Sequence, residues 1–138
     1  MGDLQKALSQ DVYKELYAKA LEARKHAYAP FSGFEVGAAL LTDDGSIYTG
    51  VNIENSSYGA TICAERTAFV KAVSEGHRKF RALAVTAGTD QEALPCGICR
   101  QFMYEFSPEM EVITGTDADN LNVRTLEQLL PGGFRLEK

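Results

Sequence analysis

Three cysteines carry the first chemical signal in this chain. Cys96 and Cys99 stand in Pro95-Cys96-Gly97-Ile98-Cys99-Arg100, and Cys63 opens Cys63-Ala64-Glu65-Arg66. Residues three apart on a helix share a face, so one turn lets Cys96 and Cys99 grip a single ion. All three thiols fall at or near expected helix N-termini, where unpaired amides and the helix dipole favour the thiolate that binds zinc. Three protein ligands and one open position make the catalytic pattern, whereas a fourth protein ligand closes structural sites. Glu65, two residues after Cys63, could take a proton from water at the open position and pass it to a substrate atom. Three thiolates leave the site net negative, so a compensating cation is expected. Arg66, beside Glu65, and Arg100, beside Cys99, are the candidates, with the larger weight on Arg66.

These residues need elements to hold them. Ser9 can cap a first helix running to about Tyr28, with an apolar stripe at Val12, Leu16, Ala20, Ala23 and Ala27, and Pro30 ends it. Val36 to Thr42 and Ser46 to Val51 read as two strands around the turn Asp43-Asp44-Gly45. The polar stretch from Asn52 to Ile62 is long for a connection in a compact domain, and such loops are disproportionately functional. A second helix is expected from Cys63 to about Glu75, closed at Gly76. Then come a strand over Ala82 to Ala87, a helix from Cys96 to about Phe106, a strand over Glu111 to Thr114 and a helix over Thr125 to Leu130. Strands alternating with helices after an initial hairpin imply an α/β fold, a mixed sheet covered by helices on both faces.

Composition narrows the function classes. The 138 residues suit one domain over 1–138, and 45% hydrophobic with 24% charged residues favours a globular chain over a disordered one. With 19 acidic and 14 basic residues the net charge is -5, and the cations form no stripe for tracking a polyanion. Nucleic acid polymers are therefore not the expected partner. The longest clean apolar stretch, Val36 to Leu41, is too short to cross a bilayer. The N-terminal residues are acidic and polar where a secretory signal would be basic and then apolar, so a cytoplasmic location is expected.

A Cys-x-Glu unit followed by Pro-Cys-x-x-Cys is the signature of the zinc nucleobase deaminases. Cys63-Ala64-Glu65 and Pro95 to Cys99 match it, and further ordered blocks stand at 28–42 (YAPFSGFEVGAALLT), 50–68 (GVNIENSSYGATICAERTA), 94–101 (LPCGICRQ) and 128–134 (QLLPGGF). Over almost its whole length the chain resembles the small, homotetrameric class of cytidine deaminases. The resemblance implies a three-layer α/β/α sandwich with a mixed central sheet of about five strands. It implies deamination of cytidine and deoxycytidine with loss of ammonia, with one zinc per subunit held by Cys63, Cys96 and Cys99. It makes Glu65 the proton shuttle between water, N3 of the ring and the departing amine, and it places the main chain of Ala64 and the ring of Phe34 at the base. Asn52 and Glu54 fall where the family binds the ribose hydroxyls, a role that suits an amide and a carboxylate. Tyr58 and Phe134 match positions that reach into a neighbouring subunit's pocket. Gly33 departs from the family pattern, where a larger polar residue is usual, and leaves the stiffness of the loop carrying Phe34 open.

Other readings of the same residues stay in view. His77 or His26 could close a structural Cys₃His zinc site, although Glu65 and the Asn52–Asn55 segment would then have no role. The C-x-x-C unit alone is also a redox motif. Within the same chemistry a polynucleotide or a nucleoside antibiotic such as blasticidin could be the substrate, and a zinc-binding interaction module needs no catalysis at all.

Overall fold

The computed structural model describes residues 8–89 and 91–137. Residues 1–7, on which the absence of a secretory signal was read, lie outside the described residues. Two apolar strands organise the rest. β1 (Gly37–Thr42) is buried at every position, and β3 (Phe80–Thr86) at all but one. Strands this apolar must be covered on both faces. β1 pairs antiparallel with β2 (Ile47–Val51) on one side and with β3 on the other. β3 pairs parallel with β4 (Glu111–Gly115), and β4 pairs antiparallel with β5 (Leu121–Thr125). The sheet is therefore mixed, in the order β2-β1-β3-β4-β5.

The period of two along each strand separates the faces. Ala39, Leu41, Ala82, Ala84 and Ile113 pack against α1 (Gln10–Ala23) through Tyr13, Leu16 and Ala20. Ala38, Leu40, Leu83 and Val112 face the other way. There they meet α2 (Ala64–Ser74), α3 (Gly97–Tyr104) and the single turn α4 (Leu126–Leu129) through Ala68, Phe69, Cys99, Met103 and Leu126. The result is the three-layer α/β/α sandwich that the resemblance implies. α3 lies in the crossover between the parallel strands β3 and β4, a connection that antiparallel pairs do not need.

Two elements depart from the sequence reading. α1 stops at Ala23 and continues only as a 3₁₀ turn over Arg24–His26, short of Tyr28. The Tyr28 N–H is taken by the Asn52 carbonyl at 3.0 Å, and Tyr28 bridges Ile53, so pairing with the polar loop wins over continuing the helix. The helix read from Thr125 starts at Leu126, with Thr125 as its cap in a capping box with Gln128. The segment before it is β5, absent from the sequence reading although Leu121-Asn122-Val123-Arg124 alternates: Leu121 and Val123 pack on the α1 side of the sheet, and the run is only five residues long. Among the described residues no helix is long and apolar enough to cross a membrane.

Candidate active site

Two helix N-termini bring the cysteines together. Cys63 is the N-cap of α2 and Cys96 the N-cap of α3, with Cys99 in the first turn of α3. The Cys63 and Cys96 sulfurs are 3.8 Å apart, Cys96 and Cys99 are 3.2 Å apart, and all three lie within 4.8 Å of one another. These separations are far beyond a disulfide bond. The Cys63–Cys96 separation matches sulfurs sharing a tetrahedral ion, since Zn–S bonds of about 2.3 Å place two sulfurs roughly 3.8 Å apart, and the Cys96–Cys99 pair is closer than that.

Electrostatics at the trio favours a cation. Hydrogen bonding from Cys99 lowers the Cys63 thiol to about 5 against the opposing effect of burial, with Arg66 and Cys96 adding to the lowering. The same contact pushes Cys99 up, and burial adds to it. One negative charge is thus easily held and a second is opposed. A divalent ion among three thiolates removes that repulsion, so the donor set fits zinc.

Arg66 and Arg100, the two candidate donors with the larger weight on Arg66, behave differently. Arg66 Nη2 sits 3.9 Å from the Cys63 sulfur and 3.2 Å from the Thr61 carbonyl. Its Nε is buried without a hydrogen-bond partner among the described residues. Arg100 spends its guanidinium on main-chain carbonyls, Pro95 at 2.7 Å and Leu129 at 2.6 Å. It ties the turn before Cys96 to the end of α4, with Nε and Nη1 engaged by those carbonyls and not by the sulfurs.

Glu65 lies in the first turn of α2 and is 4% exposed. Burial pushes its carboxyl up to about 7, the Cys63 charge adding to this and Arg66 opposing it. A carboxyl tuned to neutrality can both accept and return a proton, the requirement for acid–base work at physiological pH.

Cys63, Cys96 and Glu65 line a cavity of about 400 Å³, a volume suited to a small molecule. Ala64, Phe34, Asn52 and Glu54 line it too, as expected. Asn52 holds the Phe34 segment at both ends: its Oδ1 accepts from the Val36 N–H at 2.9 Å, and its Nδ2 donates to the Phe34 carbonyl at 2.8 Å. Glu54 accepts from the N–H groups of Phe31 at 2.9 Å and Ser32 at 3.2 Å, and from the Ser32 hydroxyl. Its carboxyl is held below the ordinary range, first by the Ser32 hydroxyl. Gly33 adopts φ +70° in this loop with open space around its α-carbon, so glycine is the residue that fits. The long loop itself is pinched by reciprocal hydrogen bonds between Ile53 and Ile62, both 2.9 Å, which deliver the chain to Cys63.

Tyr58 and Phe134 are not brought to this cavity: they are 83% and 63% exposed. His26 and His77 also stand apart from the sulfur trio, and His77 packs instead on Tyr48 near Asp44. Sequence reasoning missed Val36, Thr61, Ile62, Val85, Glu92, Ala93 and Leu94, which complete the lining. Val85 lies one residue before the end of β3 and the last three precede Cys96 in an irregular connection, so the position of α/β ligand sites beyond the carboxyl ends of strands was the one available signal.

Comparison with known proteins decides the family. Residues 10–116 match the cytidine and deoxycytidylate deaminase zinc-binding region. The chain belongs to the cytidine and deoxycytidylate deaminase family. Over 125 residues it is 51% identical to a cytidine deaminase of Sporosarcina psychrophila, covering 90% of this chain and 92% of that one. It is 50% identical to a cytidine deaminase of Halalkalibacterium halodurans, covering 88% and 93%. The fold superposes on the crystal structure of a Burkholderia pseudomallei cytidine deaminase with a TM-score of 0.82 at 45% identity, covering 87% of this chain and 97% of that one. A Mycobacterium tuberculosis cytidine deaminase gives 0.79 at 38% identity, covering 90% and 98%. Membership makes this deaminase-family chain a zinc protein, in agreement with its sulfur trio.

Proposed function

We propose that this chain catalyses the zinc-dependent hydrolysis of cytidine and 2′-deoxycytidine to uridine and 2′-deoxyuridine with release of ammonia, a step of pyrimidine salvage. The observation that carries the reading is a trio of close sulfurs, two of which, Cys63 and Cys96, line with the buried Glu65 carboxyl a cavity that Asn52, Glu54 and Phe34 also line. Cys63, Cys96 and Cys99 hold the ion, and Arg66 with the two helix N-termini offsets their charge. Bound there, zinc supplies the Lewis acidity that makes water nucleophilic near neutral pH. Glu65 would take a proton from the attacking water and give it to N3 so that C4 becomes electrophilic, then take the second proton from the hydroxyl added at C4 and deliver it to the amine as the C4–N bond breaks. Its burial keeps the proton available for return. Phe34 packs on the base and the main chain of Ala64 holds it. Asn52 and Glu54 retain lone pairs and a donor beyond their loop contacts for the ribose hydroxyls.

Single-domain organisation over 1–138, a cytoplasmic location and a homotetramer complete the reading. Tyr58 and Phe134 then serve a neighbouring subunit's pocket, which their exposure in the lone chain supports. The acidic balance favours free nucleoside over polymer. A turnover assay on cytidine, blasticidin S and a single-stranded oligonucleotide tests the substrate. Ammonia release from cytidine well above the other two is expected, and release from either of the others with none from cytidine would sink the reading.

A further inference from the structure

Among the described residues the connection from β3 to α3 carries no helix or strand between Thr86 and Gly97, yet it must deliver Cys96 to the sulfur trio and lines the cavity through Glu92, Ala93 and Leu94. One side chain ties its middle to the sheet. The Glu92 carboxylate accepts from the Thr114 hydroxyl on β4, from Asn122 Nδ2 at 2.8 Å and from Arg124 Nη2 at 2.7 Å on β5. Arg124 Nη2 also reaches the Thr114 hydroxyl at 3.3 Å. Thr114 and Asn122 are cross-strand partners, and Arg124 lies two residues further along β5 opposite Val112. All three donors therefore stand on the sheet face that packs α2 and α3. An isolated exposed ion pair would contribute little. Three donors from two strands, converging on one half-buried oxygen, fix both the position and the orientation of the loop.

We propose that Glu92 is a positioning residue: with Thr114, Asn122 and Arg124 it pins the cavity wall 92–94 to β4 and β5 and so sets where Cys96 and the nucleoside sit. Glu92 itself takes no part in bond making. Its effect on turnover rests on the deaminase reading above; its effect on the metal site does not. Losing the pin lets the wall retreat, which loosens the substrate and the seat of Cys96 in the metal site.

The test uses the full zinc-loaded chain and three variants, Glu92→Ala, Glu92→Gln and Arg124→Met. For Glu92→Ala, KM for cytidine should rise on the order of tenfold with a smaller fall in kcat, since a misplacement of about 1 Å is enough for such losses. Zinc release to a chromogenic chelator, measured without substrate, should quicken on the order of tenfold. Glu92→Gln keeps an acceptor for Thr114 and Asn122 and should lie between wild type and alanine. Arg124→Met, on the edge strand, should shift both readouts the same way and decides the matter if Glu92→Ala does not fold. Wild-type KM and zinc release in the folded variants, even with a lowered melting temperature, would overturn the proposal. A wild-type chain without turnover would refute the deaminase reading, while the zinc-release comparison would still decide the role of Glu92.

Discussion

Glu65 and its neighbours divide the work of the site among residue types that cannot substitute for one another. In the proposed mechanism a buried carboxyl moves protons, three sulfurs hold a cation and a guanidinium offsets their charge. Glu65→Ala should retain fold and zinc and lose turnover by about 10²-fold to 10⁴-fold, measured as the decline in cytidine absorbance; full activity would contradict the shuttle. Cys96→Ala should release the metal and destabilise the fold, because site and core are coupled, and zinc content per chain reads this directly. Wild-type zinc in that variant would refute the ligand assignment. The sulfurs and Glu65 were legible in the sequence because metal-ligand spacing and helix N-termini are local features. Arg66 against Arg100 was not decided by adjacency: both follow a site residue, and only the course of α3 turns Arg100 toward Pro95 and Leu129. Glu92 left no trace in the sequence, since its partners lie 22 to 32 residues away on strands that meet it only in the fold.

Helix α2 carries both Cys63 and Glu65, so its seat on the sheet decides their placement. It lies so close over β2 that a β-carbon on Gly50 would stand 2.4 Å from the Ala64 carbonyl oxygen and 2.5 Å from the Ala68 nitrogen. Both are main-chain atoms with little freedom to yield. Gly50→Ala should therefore cost about 1–3 kcal/mol, read as a lowered denaturation midpoint. It should also reduce turnover, because the helix that shifts is the one bearing the site; unchanged stability would contradict this packing. Elements with a full apolar period, such as β1 and α2, were readable within a residue or two. β5 was not, although Leu121-Asn122-Val123-Arg124 alternates: the run is short, and what makes it a strand is its pairing with β4. The end of α1 was overread for a related reason: Tyr28 suits a helix locally, but its main chain pairs with Asn52 and Ile53.

At the scale of the molecule, the described chain exposes large apolar side chains, among them Tyr28, Phe31, Phe34, Tyr58, Ile98 and Phe134. The proposed tetramer covers them and lets Tyr58 complete a neighbour's pocket. Co-expression of Tyr58→Ala with Glu65→Ala tests this: each mixed assembly regains sites that pair an intact Glu65 with a neighbour's intact Tyr58. Turnover should exceed the average of the two variants alone, and a value equal to that average would contradict shared sites. The central claim, a zinc-dependent nucleoside hydrolysis, is tested most directly by following cytidine conversion before and after a chelator, with zinc then restored. The account predicts uridine and ammonia in equal amounts, loss of turnover with the metal and recovery on adding it back. Zinc bound at one ion per chain with no turnover of cytidine would contradict it.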